Sequence, residues 1–287
     1  MYVQFTYLRP STTDELVALL EEKKQGTILY GGGTDILVDL RAGTRTASRV
    51  IDVKNIDVFS SIDENQSVVR IGCAVTLSEI AGHPLIQKWA PALAAGVSQV
   101  GSVQIRNKAT LAGNIQTASP AGDGLNAAYA LDGVAVLLST RGERRIPLQT
   151  YITGPRRTQL QDDEVLAFIE LPKKTWNFQR FFKVGLRNAL AISVVNGAVA
   201  LHTQDGKILE ARICVGAVAP TPLRFQQGEN FLRGKYLTSA IVEEIAALVT
   251  ASVSPISDLR ASAAYRAYMA GAMVKRQLCD YMEVQPV

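Results

Sequence analysis

The residues best suited to chemistry in this chain lie in two stretches of small side chains. One is Tyr30-Gly31-Gly32-Gly33-Thr34-Asp35; the other runs Thr110-Leu111-Ala112-Gly113-Asn114-Ile115-Gln116-Thr117-Ala118-Ser119-Pro120-Ala121-Gly122-Asp123. Each sets backbone N–H groups beside short hydroxyl or amide side chains, and glycine keeps the backbone approachable. Consecutive N–H donors of this kind suit a diphosphate, and a pair of such loops suits a dinucleotide. Taken alone, the first loop reads more simply as a tight turn with positive φ. GxGxxG is missing, and no acidic residue follows at the distance that a Rossmann turn requires. In the second loop Thr110, Asn114, Thr117 and Ser119 can donate hydrogen bonds. Asp123 can accept from sugar or polyol hydroxyls, with an ordinary helix cap as its competing role.

The elements around the loops follow from pattern. Ser11-Thr12-Thr13-Asp14 reads as a capping box opening a helix with Leu16, Leu19 and Leu20 at helical spacing. Thr27 to Tyr30 is a strand entering the first loop; Ile36, Leu37 and Leu40 make a helical turn; Arg49 to Val53 is another strand. Val68, Val69 and Ile71 form a strand, Thr76-Leu77-Ser78-Glu79 caps a helix, and Pro91 to Gly96 is a short helical piece. Ser98 to Asp123 has no sustained apolar period, so it reads as a long functional loop. Asp123 then N-caps a helix through Leu131, and Val134 to Ser139 and Val165 to Leu171 are strands. Beyond Pro172-Lys173-Lys174-Thr175, the segments Gln179 to Gly185, Ile192 to His202 and Lys207 to Val218 read as antiparallel strands. Helices follow over Ser239 to Ser252 and Asp258 to about Tyr281, the second with Tyr265, Met269 and Met273 on one stripe. The class is α+β.

With 287 residues, the chain is longer than a usual single core. A net charge of +4 with scattered basic residues and few aromatics gives no basis for nucleic-acid binding. Cys73, Cys214 and Cys279 are far apart and odd in number, so they read as reduced, buried thiols rather than a disulfide, zinc or iron–sulfur framework. The start, Met1 to Tyr7, lacks a signal-peptide pattern, and no apolar run is long enough to span a membrane. The expectation is a cytoplasmic protein with no membrane insertion.

The two loops, with Gln104-Ile105-Arg106-Asn107 before the second, resemble the FAD-binding medium subunit of the molybdenum hydroxylases. This is the family of xanthine dehydrogenase, carbon monoxide dehydrogenase and nicotinate dehydrogenase. Two further stretches are similar to the same family, Val215-Gly216-Ala217-Val218-Ala219-Pro220-Thr221-Pro222-Leu223-Arg224 and Asp258-Leu259-Arg260-Ala261-Ser262-Ala263-Ala264-Tyr265-Arg266. The resemblance implies a two-part FAD-binding domain of the vanillyl-alcohol-oxidase/PCMH-like type over residues 1–55 and 56–174. A C-terminal domain with a three-stranded antiparallel sheet and helices follows over 175–287.

It further implies that Leu29, Tyr30, Gly31, Gly32, Gly33, Thr34, Asp35 and Ile36 line the FAD diphosphate from one side. Gly101, Ile105, Ala109, Thr110, Gly113, Asn114 and Thr117 belong to the opposite side. Gly122 and Asp123 meet the ribityl chain, Leu166 packs near the ring system, Lys183 lies at the isoalloxazine edge, and Leu190 covers the ring. A solvated strand lysine is the competing role for Lys183. Ala189 stands where relatives often carry an acid, and losing that charge should make flavin reduction easier. His83 and His202 are not placed for covalent attachment, so FAD is expected to be non-covalent, and no metal site is expected in this chain. The molybdenum cofactor and two-iron two-sulfur clusters belong to partner chains, a large and a small subunit, with NAD or another acceptor taking the electrons. The competing readings are a free-standing FAD-dependent oxidoreductase, with Tyr151 or Ser193 as proton donor, and an interaction module that has lost FAD.

Overall fold

The computed structural model describes residues 4–284. Met1 to Val3, part of the stretch read for a signal peptide, lie outside the described residues.

Three sheets of three or more strands carry the fold, and a two-stranded ribbon, Ile152–Gly154 with Arg157–Thr158, is a fourth among the described residues. The first is parallel, with Arg49–Asp52 between Thr6–Leu8 and Thr27–Tyr30. All four residues of its central strand are buried, as expected where a parallel strand is covered on both faces. Helix Thr13–Glu21 puts Leu16 and Leu20 into the core. Its cap is Thr12, whose Oγ1 accepts from the Glu15 N–H, while the Glu15 carboxylate takes the N–H of Ser11 rather than of Thr12, so the cap lies one residue later than expected and the box is not closed. Helix Ile36–Ala42 leaves the first glycine loop and stops at Gly43 in the left-handed region.

The second sheet is antiparallel, in the order Ile62–Glu64, Val68–Gly72, Val165–Pro172, Val134–Ser139, Gly142–Pro147. Val165–Pro172 runs through its middle and bulges between Leu166 and Phe168. Thr76 and Glu79 form the expected capping box at the head of Leu77–Gly82. The stretch after Ser98 is not a structureless loop. It contains two short helices, Val103–Arg106 capped by Ser102 and Leu111–Thr117 capped by Thr110. One or two turns are too short for an apolar period to build up, although Leu111, Ala112 and Ile115 share a buried face. Asp123 also differs from expectation: Gly122 is the N-cap residue of the helix Asp123–Ala130, and no side chain caps it. The Asp123 carboxylate is engaged elsewhere.

In the C-terminal sheet, Phe178–Val184, Val195–Gln204 and Lys207–Gly216 pair antiparallel. A fourth strand of two residues, Leu223–Arg224, extends the three expected. Two residues cannot display the alternation by which a strand is read. Helix Ala263–Val284 packs on this sheet, and Ser239–Ser252 packs against that helix. They approach so closely that a Cβ on Gly271 would overlap the Thr250 hydroxyl and lie 2.5 Å from the Ala246 carbonyl oxygen. The last helix starts at Ala263 rather than Asp258, and Tyr265 faces solvent while Met269 and Met273 pack on the core. Of the cysteines, Cys73 and Cys214 are buried and Cys279 is half-buried.

Candidate functional site

The two glycine loops meet. A Cβ on Gly32 would overlap the Lys108 carbonyl oxygen and sit 2.7 Å from Ala109 Cα, so only glycine lets the backbones touch. Gly33 adopts φ +73°, with the Tyr30 ring packed over it. Gly31 has more room, its nearest neighbour being Thr110 Oγ1 at 3.5 Å. One run of glycine therefore serves three separate needs.

Hydrogen bonds then fix one loop against the other. Thr117 Oγ1 donates to Asp35 Oδ2 at 2.7 Å and to the Gly113 carbonyl at 2.9 Å. Thr110 Oγ1 accepts from the Gly113 N–H at 3.0 Å, and the Leu77 N–H donates to the Ala109 carbonyl at 2.8 Å. Asn114 turns its oxygen inward to take the Leu125 N–H at 2.9 Å, which ties the second loop to the start of the next helix.

Between the loops opens a cavity of about 840 Å³. That size falls in the range of about 300–1,000 Å³ usual for small-molecule sites. Leu29, Gly31, Gly32, Gly33, Thr34, Asp35 and Ile36 line one side, and Ile105, Ala109, Thr110, Gly113, Asn114 and Thr117 the other, with Leu166 at the back. Tyr30 does not line it; the ring faces a separate apolar cavity with Phe5, Tyr7 and Val50, and Lys54 lies over it at 4.4 Å. A strand residue one position along points to the opposite face, which is why Tyr30 parts from Leu29. Gly101, Gly122, Asp123, Lys183 and Leu190 also stand outside the lining. Gly101 turns the chain at φ +50° before the helix Val103–Arg106. Leu190 is 52% exposed on the loop after Val184, in the left-handed region at φ +58°. Arg187 holds that loop by donating to the Ala189 and Leu190 carbonyls.

Asp123 and Lys183 form a buried network of their own. Lys183 Nζ meets Asp123 Oδ2 at 2.5 Å, and the two side chains are 9% and 6% exposed. Ser193 Oγ and Asn196 Nδ2 both donate to Asp123 Oδ1 at 2.6 Å, and Lys183 also donates to the Gln99 carbonyl. The solvated-lysine role for Lys183 does not hold. Three donors leave the carboxylate room for a further hydrogen bond on Oδ2.

Cys73, Gln116 and Arg156, none of them among the expected site residues, also line the cavity. Burial pushes the Cys73 thiol well above the ordinary range. Gln116 is oriented by the Tyr151 hydroxyl at 2.5 Å and by Thr158. Arg156, at φ +57°, reaches Asp39 at 3.1 Å across the outer rim. The Gly154-Pro155-Arg156-Arg157 turn was the readable signal for it. Tyr151 is wholly buried with its pKa pushed up by burial, and Ser193 is committed to Asp123, so neither is available as a proton donor at the cavity. His83 caps the helix Pro84–Trp89, and neither it nor His202 lines the cavity.

Residues 3–174 match the FAD binding domain in molybdopterin dehydrogenase, and residues 180–280 match the CO dehydrogenase flavoprotein C-terminal domain. The chain belongs to the FAD-binding subunits of the molybdenum hydroxylases. Among these flavoprotein subunits it is 31% identical to the nicotinate dehydrogenase FAD-subunit of Eubacterium barkeri, over 97% of this chain and 96% of that one. It is 30% identical to a putative xanthine dehydrogenase FAD-binding subunit of Escherichia coli, over 96% and 95%. The solved carbon monoxide dehydrogenase of Hydrogenophaga pseudoflava superposes with a TM-score of 0.91 at 29% identity, covering 97% of this chain and 98% of that one. The fold is the family's two-part, PCMH-like α+β domain followed by a sheet-and-helix domain. The protein is an FAD-binding electron-transfer subunit of a multi-subunit oxidoreductase.

The residues present fit the cofactor of these flavoprotein subunits. Gly31 and Gly113 both line the cavity, and the side chain that a Cβ on either would meet is the small Thr110. Among the described residues no helix is long and apolar enough to cross a membrane.

Proposed function

We propose that the chain holds one FAD non-covalently between its glycine loops. In this reading Leu29 to Ile36, Tyr30 through its backbone, take the diphosphate from one side, and Ala109 to Thr117 take it from the other. Gly101 and Ile105 shape the approach to the second loop. Gly122 and Asp123 meet the ribityl chain, Leu166 the ring system and Lys183 its edge, with Leu190 covering it. The observation that carries the reading is the backbone contact at Gly32, which makes both loops walls of one cavity.

FAD supplies a carrier that accepts electrons from the two-iron two-sulfur clusters of a partner subunit and delivers them to NAD or another acceptor. This chain's residues hold that carrier in place. Ser193 and Asn196 keep Asp123 oriented, and Tyr151 keeps Gln116 turned toward the cavity. Leu166 and Val165 add buried apolar surface to its lining. The chain works with a molybdenum-cofactor large subunit and an iron–sulfur small subunit in the cytoplasm; no nucleic acid takes part. Support for partners comes from relatives whose own names are those of subunits, such as the carbon monoxide dehydrogenase medium chain of Hydrogenophaga pseudoflava. In this reading the chain divides into units over 1–55, 56–174 and 175–287.

The test is to tag the chain in its native cells, recover what co-purifies, and assay flavin, molybdenum and iron. The reading expects one FAD per chain, released by heat, with molybdenum and iron on other chains. A flavin-bearing chain that turns over an organic substrate alone would transfer the assignment to a free-standing oxidoreductase.

A further inference from the structure

The Asp258 to Arg266 stretch has no place in the cavity, yet it holds one of the most deeply buried cations of the chain. Arg266 is 2% exposed. Its Nη1 donates to the Val194 carbonyl at 2.5 Å and to the Ala217 carbonyl at 3.4 Å, and its Nη2 donates to Asp258 Oδ1 at 2.7 Å. Its Nε has no acceptor among the described residues. Burying a guanidinium with one carboxylate partner is unfavourable beside an apolar side chain of similar volume. What the guanidinium adds is its fork, with Nη1 on two backbone carbonyls while Nη2 is held by Asp258.

Those carbonyls belong to the strand ends that meet the glycine-loop domain. Val194 is held on both sides, because its N–H donates to the Val184 carbonyl at 2.7 Å while its carbonyl is on Arg266. The residue before it is Ser193, whose hydroxyl is on Asp123. Ala217, at φ +62°, donates its N–H to the Pro120 carbonyl at 2.8 Å. Between them, Asn196 pairs with Gly216 and also donates to Asp123. The guanidinium therefore sits directly behind two separate contacts to the second glycine loop and its extension.

We propose that Arg266, held by Asp258, is a positioning residue that clamps Val194 and Ala217 and so sets Ser193 on Asp123 and Ala217 on Pro120. The inference rests on the reading of Asp123 and Lys183 as FAD contacts. Releasing the clamp lets Ser193 leave Asp123, and the carboxylate is then no longer held for both Lys183 and the cofactor.

The experiment uses the full chain carrying Arg266→Lys, Arg266→Gln, Ser193→Ala and, as control, Arg260→Ala, which removes the exposed partner of the same Asp258. Arg266→Gln is expected to weaken FAD binding about tenfold or more and to shift the visible flavin spectrum. Arg266→Lys should recover part of both, and Arg260→Ala should match the parent. Arg266→Lys and Ser193→Ala should be non-additive in FAD affinity, because one acts through the other. Amide exchange reads the clamp without flavin: in Arg266→Lys it should rise at Val194 and Ala217 and not elsewhere in the sheet. Unchanged exchange at those two amides, or additive effects of Arg266→Lys and Ser193→Ala, would overturn the inference even if Arg266→Gln fails to fold. A parent chain that takes up no FAD while its exchange responds as expected would instead remove the cofactor reading and leave the clamp standing.

Discussion

Lys183 and Asp123 form an ion pair at 2.5 Å that joins the C-terminal sheet to the helix leaving the second glycine loop. Both side chains are buried, so each is needed to balance the other. Removing one partner of such a pair costs about 3–5 kcal/mol, because the other charge is left in a low-dielectric site. Lys183→Met is therefore expected to lower stability by about 3 kcal/mol. Adding Asp123→Leu to it should cost less than the sum of the single changes. Urea unfolding of the four proteins measures this coupling; strict additivity would mean the pair does not act as a unit.

Gly31 and Gly32 are neighbours with different duties. Gly32→Ala forces the loops apart, and overpacking of this kind costs about 1–3 kcal/mol. Gly31→Ala meets nothing nearer than 3.5 Å, so its thermal midpoint should stay close to the parent's while FAD affinity falls. Melting curves and flavin titrations of the two variants separate loop packing from cofactor approach. Equal melting losses in both would contradict the assignment.

The Asp132 carboxylate predicts how acid acts on the domain joint. Burial pushes it up, but Arg224 and Arg212 outweigh burial and hold it below the usual range. A carboxylate lowered by folding stabilises the native state above its unfolded pKa of about 3.9, and that contribution is lost as pH falls through the lower folded value. Asp132→Asn keeps a residue type that tolerates the left-handed backbone at φ +58°. Its stability deficit should be full at neutral pH and shrink below about pH 4. Denaturant midpoints at pH 7 and pH 3 provide the comparison, and a deficit that grows on acidification would refute the sign.

Ala189 lies on the exposed loop beside Leu190. A carboxylate there would oppose the addition of electrons to a nearby flavin, so Ala189→Asp should lower the midpoint potential. Spectroelectrochemical titration of both proteins decides it, and no drop in the variant would separate this loop from the ring.

The strand-to-loop passage at Leu29 and the glycine run were readable because φ, reach and donor spacing are local properties. What the glycines are for was not fully readable: Gly32 is required by Lys108 and Ala109, residues far away in the chain. The same limit hid the engagement of Asp123. Its position before a helix suggested a cap, whereas its partners Lys183, Ser193 and Asn196 come from a different sheet. Tyr30 was grouped with the loop by adjacency, and strand alternation turned its ring away. The helices Val103–Arg106 and Leu111–Thr117 leave no periodic signal because each is shorter than the window over which a helical period shows.

The central claim, that two glycine loops hold a flavin dinucleotide through its diphosphate, is tested most directly by titrating the full chain with FAD and with FMN. FMN lacks the diphosphate bridge, and losing two charge-assisted hydrogen bonds of about 1.5–3 kcal/mol each should weaken it about a hundredfold or more. Saturation at one FAD per chain is expected, with FMN binding that much weaker. Equal affinity for both flavins, or no uptake of either, would contradict it.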